Sequence, residues 1–220
     1  MLDYGYDRTA AAEFGVICGT DEAGRGPLAG SVVAAAVVLP PELEIPGLDD
    51  SKKLTEKKRE ALYDVILSSA LAYGIAESDA GQIDRTNILA ASLDAMRRAV
   101  EQVKLTLTPG LVLVDGNRLT DFGLPARCLV KGDGISQSIA AASVLAKVTR
   151  DRQLLELDRL YPEYGFAKHK GYPTKEHKFA VYEYGPSPVH RKSFLSFLTR
   201  DADLLERELA LKKAGQEGDS

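Results

Sequence analysis

Apolar residues along the chain fall into short runs separated by turn residues, and the spacing within each run predicts its geometry. Residues 14–21 and 31–39 are small and β-branched, and a Gly/Pro-rich stretch separates them, which predicts two antiparallel strands joined by a turn. Residues 55–70 open on Thr55-Glu56 and carry Leu62, Ile66 and Leu67 at helical spacing; 71–77 then returns as a third strand. A longer helix is expected over 87–103, with Ile88, Leu89, Leu93, Met96 and Val100 on one side. The runs 111–114 and 126–130, each bounded by turn residues, predict buried strands. The strongest helical pattern is 135–160, alanine-rich in its first half and ended by Pro162. After a Gly/Lys/His-rich loop, helical patterns at 174–184 and 192–212 form a C-terminal lobe, and the final AGQEGDS is expected to fray. Three strands followed by alternating helix and strand imply an α/β fold, a mixed sheet with helices on both faces.

Composition narrows the class. The chain has 220 residues, 45% hydrophobic and 27% charged, enough to bury a core, and no apolar run reaches the length of a membrane span. The N-terminal MLDYGYDRTA has neither a basic segment nor an apolar signal core, so the expected location is cytoplasmic. Cys18 and Cys128, the two cysteines, sit in apolar stretches and read as small buried hydrophobes. The net charge of −4 argues against nucleic acid until its distribution is considered. Between Lys147 and Lys192 there are ten Lys or Arg against six acids. That local excess fits either a solvated helical surface or a polyanion contact.

Four acids stand at strand ends or helix starts: Asp21, Glu22, Asp115 and Asp133. Asp115 closes the run LVLVDGN, so its carboxylate emerges at the C-terminal edge of a buried strand, where α/β sheets place ligands; it also fits a turn residue. Asp21 and Glu22 are consecutive, and neighbouring side chains on a strand point to opposite faces. Both reach one site only if the strand bends, or if Glu22 acts through its backbone carbonyl; the other reading is a charged hairpin end. Asp133 equally suits a helix N-cap. Asp151 shares the apolar stripe of Val144, Val148 and Leu155 and ranks below Asp133 as a ligand. Carboxylates converging at a sheet edge repel one another unless a cation binds, and oxygen ligands select Mg²⁺ or Mn²⁺.

Two further stretches carry positive charge. Gly24-Arg25-Gly26 follows the first acids; its glycines let backbone N–H groups approach a polyanion or sugar hydroxyl while Arg25 supplies charge. FAKHKGYPTKEHKF, 166–179, interleaves Lys168, Lys170, Lys175 and Lys178 with Tyr172, a pattern that suits a phosphate backbone with a stacked ring, or a polar loop entering a helix capped by Thr174. His169, His177 and His190 raise two alternatives, a zinc site and histidine acid–base chemistry.

The motifs GTDEAGRGPLAGSV, DDSKKL, LVDGN, VKGDGISQSIAAASVLAKVTRD and YPEYGFAKHKGYPTKEH, spread over about residues 14 to 195, resemble the bacterial type 2 ribonucleases H, the ribonuclease HII family. The resemblance implies a ribonuclease H-like core over 1–165, a helical substrate-contacting lobe over 166–212 and a disordered tail over 213–220. It implies an endonuclease that hydrolyses the RNA strand of RNA/DNA hybrids and nicks duplex DNA on the 5′ side of an embedded ribonucleotide, leaving 3′-hydroxyl and 5′-phosphate ends, in ribonucleotide removal from DNA. Asp21, Glu22, Asp115 and Asp133 would be the catalytic and metal-binding acids, for two Mg²⁺ or Mn²⁺ ions. Gly24, Arg25 and Gly26 would contact the ribonucleotide 2′-OH and adjoining phosphate, and Tyr172 the following deoxyribose. Lys168 and Lys170, chosen on composition, would hold the flanking backbone. The expected form is a monomer. The readings set against this are a non-catalytic nucleic-acid binding module and another ribonuclease H-like nuclease.

Overall fold

The apolar runs become five strands, and the helical patterns become the elements that cover them. The computed structural model describes residues 5–217. In chain order these are α1 (Gly5–Phe14), β1 (Ile17–Ala23), β2 (Val32–Val38), α2 (Glu56–Ser69), β3 (Ala72–Ser78), α3 (Ala80–Arg85) and α4 (Ile88–Lys104). There follow β4 (Leu111–Asp115), β5 (Ala126–Leu129), α5 (Gln137–Leu160), α6 (Phe166–His169), α7 (Lys175–Tyr184), α8 (Phe197–Arg200) and α9 (Ala202–Glu217). The strands form one mixed sheet in the order β3-β2-β1-β4-β5. β1 pairs antiparallel with β2, and β2 with β3, whereas β4 runs parallel to both β1 and β5. The expected mixed α/β sheet flanked by helices is therefore present.

The chain divides into two compact units. The first holds the described residues through Arg25 together with Val32–Ser78 and Thr86–Arg150; the second holds Gly26–Ser31, Asp79–Arg85 and the described residues from Asp151 on. The sequence reading placed the boundary after residue 165. The compact units meet in the chain inside α5, one continuous helix that contributes its alanine-rich half to the sheet unit and Leu154 to the core of the other. The tail was expected from 213. Helix α9 continues to Glu217, and 218–220 lie outside the described residues.

In the first unit β2 lies inside the sheet, between β3 and β1, and is buried along its whole length, so it is apolar throughout. Ala35 and Val37 pack with Leu62 and Ile66 of α2 and with Ala141, Val144, Leu145 and Val148 of α5. On the opposite face, Cys18, Ala34, Ala36, Val112 and Val114 meet α4. That helix presents Ala91, Ala95, Ala99, Met96, Val100 and Val103, not the expected leucines: Leu89 and Leu93 are only half-buried. Small side chains allow a helix to approach a sheet closely. On the other side Gly19 of β1 plays the same part, since a Cβ there would lie 2.2 Å from the Ser138 carbonyl carbon and 2.3 Å from the Ile139 nitrogen. Only glycine lets α5 begin against the middle of β1. Helix α1, absent from the sequence reading, contributes Ala10 to a small cluster with Ile17, Leu111, Leu113 and Ile139.

The second unit has its own core of Leu28, Ala29, Leu154, Tyr164, Phe166, Ala180, Val181, Leu195, Phe197 and Leu205. The region expected as one helical pattern over 192–212 is broken into a 3-10 turn at Lys192–Phe194, α8 and α9. Helix α7 starts as anticipated, with Thr174 Oγ1 accepting the His177 N–H at 3.2 Å. Cys18 and Cys128 are both free thiols.

Candidate active site

Strand register brings the first two acids together. β1 and β4 pair in parallel through Thr20 and Val114, so Asp21 and Asp115 follow as neighbours at the C-terminal end of β4. Asp115 Oδ1 accepts the Gly132 N–H at 2.7 Å, which anchors the 3-10 turn Gly132–Gly134 against the end of the strand. Lys131 enters that turn in the left-handed region, at φ 59°. A Cβ on Gly132 would lie 2.6 Å from Ile139 Cδ1 and 2.9 Å from Leu129 Cβ, so the turn closes only on glycine. Asp133 is thereby delivered to the cluster. One carboxylate oxygen from each of Asp21, Asp115 and Asp133 lies within 4.8 Å of the others.

Asp133 lies in this group of acids. It does not cap α5, whose first N–H groups are met elsewhere: Ser136 Oγ accepts from Ile139 and Asp7 Oδ2 accepts from Ser138 at 2.8 Å. Asp151 is buried on α5 in the second unit and is not a member of the three-acid group.

Glu22 answers the strand problem differently. β1 remains paired through Glu22 and Ala23, opposite Ala34 and Val33, so it does not bend between the two acids. The Glu22 side chain accordingly lies on the α4 side, in a cleft lined by Ser92, Met96, Asp115 and Asn117, and pairs with Arg25 at 3.5 Å. Its carboxylate is outside the three-acid group, although it stays close enough to interact with Asp115.

The electrostatics are those of anions held together. Burial, then the charges of Glu22 and Asp115, push the Asp21 carboxyl well above the usual range. Burial and Asp115 raise Glu22 to about 7, against the pull of Arg25. Burial, Asp115 and Asp50 raise Asp133 to about 6. Lys52 opposes them: desolvation works against its ammonium, but the fields of Asp21, Asp50, Asp133 and Asp115 outweigh it and hold its pKa above the ordinary lysine value. Lys52 and Asp50, which hydrogen-bonds Asp133, did not enter the sequence reading of the site. Their signal was the quoted motif DDSKKL, whose charge pattern alone does not say which surface it faces. An all-carboxylate donor set with raised proton affinity fits a hard divalent cation better than zinc.

In the second unit, the Tyr172 ring packs on Gly26: Cε1 lies 3.7 Å from the position a Cβ would take. Tyr172 is 44% exposed. Lys168 is exposed on α6, and Lys170 follows it in the left-handed region. The histidines are spoken for. His169 uses Nε2 on the Tyr164 carbonyl and Nδ1 on the Gly171 N–H; His177 uses Nδ1 on the Tyr172 carbonyl and Nε2 on His190 Nε2; His190 Nδ1 accepts from the Ser187 N–H. With every ring nitrogen engaged and His177 and His190 buried, the geometry favours neither a zinc site nor histidine acid–base chemistry.

A family model described as Ribonuclease HII matches residues 18–197. The chain belongs to the ribonuclease HII family. A ribonuclease HII of Shewanella amazonensis is 55% identical over 188 residues, covering 86% of this chain and 90% of its own. One from a Geobacter species is 57% identical over 178 residues, covering 81% and 76% respectively. The fold is also that of the ribonuclease H2 of Pyrococcus horikoshii, with a TM-score of 0.70 at 24% identity over 87% of this chain and 99% of that one. Bst-RNase HIII, solved in complex with Mn²⁺, gives 0.67 at 18% identity over 90% and 73%. As a member of the ribonuclease HII family the protein is a ribonuclease H-type endonuclease, a hydrolase, and the binding-module reading is not favoured. No helix among the described residues is long and apolar enough to cross a membrane.

Proposed function

We propose that Asp21, Glu22, Asp115 and Asp133 bind Mg²⁺ or Mn²⁺, two ions in the active complex, and that the enzyme hydrolyses the RNA strand of RNA/DNA hybrids and nicks duplex DNA on the 5′ side of an embedded ribonucleotide. The observation that carries this reading is the convergence of three carboxylates within 4.8 Å, where burial and the neighbouring negative charges raise the Asp21 and Asp133 carboxyls above their ordinary range. Such ions, when bound, activate water and stabilise the leaving oxygen of an in-line displacement. Asp21, Asp115 and Asp133 offer carboxylate oxygens, and Glu22, whose side chain turns toward Arg25, contributes through its backbone carbonyl. The water attacks phosphorus, so the 2′-OH is a recognition group and the products are a 3′-hydroxyl and a 5′-phosphate.

Recognition falls to Gly24, Arg25 and Gly26. Gly24 takes φ 98°, a conformation open to glycine, and turns the chain so that the half-exposed Arg25 follows directly on the acids. Backbone groups there reach a 2′-OH without a base preference, which is what separates RNA from DNA. Tyr172, seated on Gly26, packs on the deoxyribose after the junction, while Lys168 and Lys170 hold the flanking backbone. We place the protein in the cytoplasm as a monomer that removes ribonucleotides from DNA.

A DNA duplex carrying one ribonucleotide tests the reading, incubated with Mg²⁺, Mn²⁺ or chelator, with Asp115→Asn alongside. The expected result is a metal-dependent nick 5′ of the ribonucleotide, ending in a 3′-hydroxyl and lost in the variant. Cyclic-phosphate ends persisting in chelator would transfer the chemistry to the histidines, and binding without cleavage would reduce the protein to a binding module.

A further inference from the structure

The second unit buries a chain of hydrogen bonds whose direction is fixed from both ends. The Tyr172 carbonyl can only accept, so His177 Nδ1, 2.9 Å away, carries a proton. The Ser187 N–H can only donate, so His190 Nδ1, 3.0 Å away, is bare; Ser187 Oγ lies 2.7 Å from the same nitrogen. A neutral His190 then has its proton on Nε2, and a neutral His177 has a bare Nε2. Those two atoms are 3.0 Å apart, one donor and one acceptor. Two independent anchors thus dictate tautomers that match, and a single added proton would set donor against donor.

The surroundings keep the pair neutral. His177 and His190 are buried, Phe166 stands edge-on to His177 at 5.5 Å, and Tyr164 lies 4.8 Å from His190. His169 stacks on His177 at 4.3 Å. Burial is the main cause that lowers both pair members to about 4. Arg191, the next residue, directs its guanidinium elsewhere, onto the Gly30 and Pro27 carbonyls.

What this chain of bonds holds is the Tyr172 turn. Lys170 and Gly171 are both left-handed, and Leu28 N–H donates to the Gly171 carbonyl at 2.8 Å. His190 itself bridges Ala29 across a short antiparallel contact. The Gly26–Ser31 segment is therefore tied to Gly171 on one side and to His190 on the other, with Tyr172 resting on Gly26.

We propose that His177 and His190 act as a neutral positioning pair that fixes the Tyr172 turn against Gly26 and so sets how firmly the ribonucleotide junction is held. The proposal rests on the reading that Tyr172 contacts substrate. Neither histidine is a catalytic residue, so their removal should alter substrate binding far more than turnover.

Steady-state cleavage of a duplex with one ribonucleotide is measured for the parent, His190→Leu, His190→Gln, Tyr172→Ala and the His190→Leu/Tyr172→Ala double variant. His190→Leu should raise KM about tenfold with kcat changed less than about twofold. His190→Gln keeps an N–H donor near the lost Nε2 and should return KM close to the parent value. The double variant should be no worse than Tyr172→Ala alone, because one pathway is removed twice. If Tyr172→Ala leaves KM unchanged, the substrate role of Tyr172 fails. If Tyr172→Ala raises KM but a folded His190→Leu does not, or if the two effects multiply, the positioning pair is overturned. Nitrogen NMR of the unmodified protein near neutral pH gives a test free of folding defects. It should show two neutral rings, His177 protonated on Nδ1 and His190 on Nε2; a charged ring or the reverse tautomers would also overturn the proposal.

Discussion

Replacing Gly19 by alanine probes whether the contact between sheet and helix sets the geometry of the acids. The new Cβ would lie 2.2 Å from the Ser138 carbonyl carbon and 2.3 Å from the Ile139 nitrogen. These are backbone atoms of α5 and cannot rotate aside, so the first turn of the helix must retreat by about 1 Å to restore ordinary contact. Gly19 lies on the same face of β1 as Asp21, and Ser138 follows Asp133 by five residues, so the retreat separates the two acids. Overpacking of this kind costs about 1–3 kcal/mol. A misplacement of about 1 Å at a reacting centre costs on the order of 100-fold in rate. Thermal unfolding in chelator and single-turnover cleavage in saturating Mg²⁺ read the two effects separately. The variant should fold, melt earlier and cleave roughly 100-fold more slowly even with excess metal. A Gly19→Ala protein that melts and cleaves like the parent would refute the reasoning.

The raised carboxyls make stability depend on pH in a direction that can be worked out. Glu22 at about 7 and Asp133 at about 6 hold protons in the folded state that the unfolded chain has released, so their contribution is full below about pH 4 and is lost as pH rises through 6 to 7. In chelator the melting temperature should fall across that window, and saturating Mg²⁺ should raise it more near pH 8 than near pH 5.5; equal shifts would contradict the assignment. Gly132→Ala should cost about 1–3 kcal/mol in denaturant unfolding, because its Cβ meets Ile139 and Leu129, and should weaken Mg²⁺ dependence by moving Asp133. Asp7→Ala should cost about 1 kcal/mol through loss of the Ser138 cap, seen as a lower urea midpoint with unchanged cleavage.

Much of the fold was legible because each strand carries a short apolar run and each turn its glycine, proline or acid. LVLVD placed Asp115 at a strand end by itself. Features that depend on tertiary contact were not legible. Helix α1 buries only Asp7 and Ala10, too little to leave a period, and α4 turns an alanine stripe inward where its leucines had suggested the face. Asp133 looked like a helix cap from sequence; Asp7 and Ser136, one of them far along the chain, relieve it of that task. The alternation of β1 correctly warned that Asp21 and Glu22 diverge, and the pairing with Arg25 shows where Glu22 goes. Gly26–Ser31 reads as a hairpin bend, yet its backbone bonds tie it to Gly171, Val189 and Arg191, none of them near it in sequence.

Calorimetric titration of Mn²⁺ into chelator-treated protein, beside Asp115→Asn, tests the central claim that the three acids form a cation site. The account predicts saturable binding that Mg²⁺ displaces, proton release near neutral pH as Glu22 and Asp133 give up their protons, and no such binding in a folded Asp115→Asn variant. An Asp115→Asn protein that binds Mn²⁺ as tightly as the parent would contradict it.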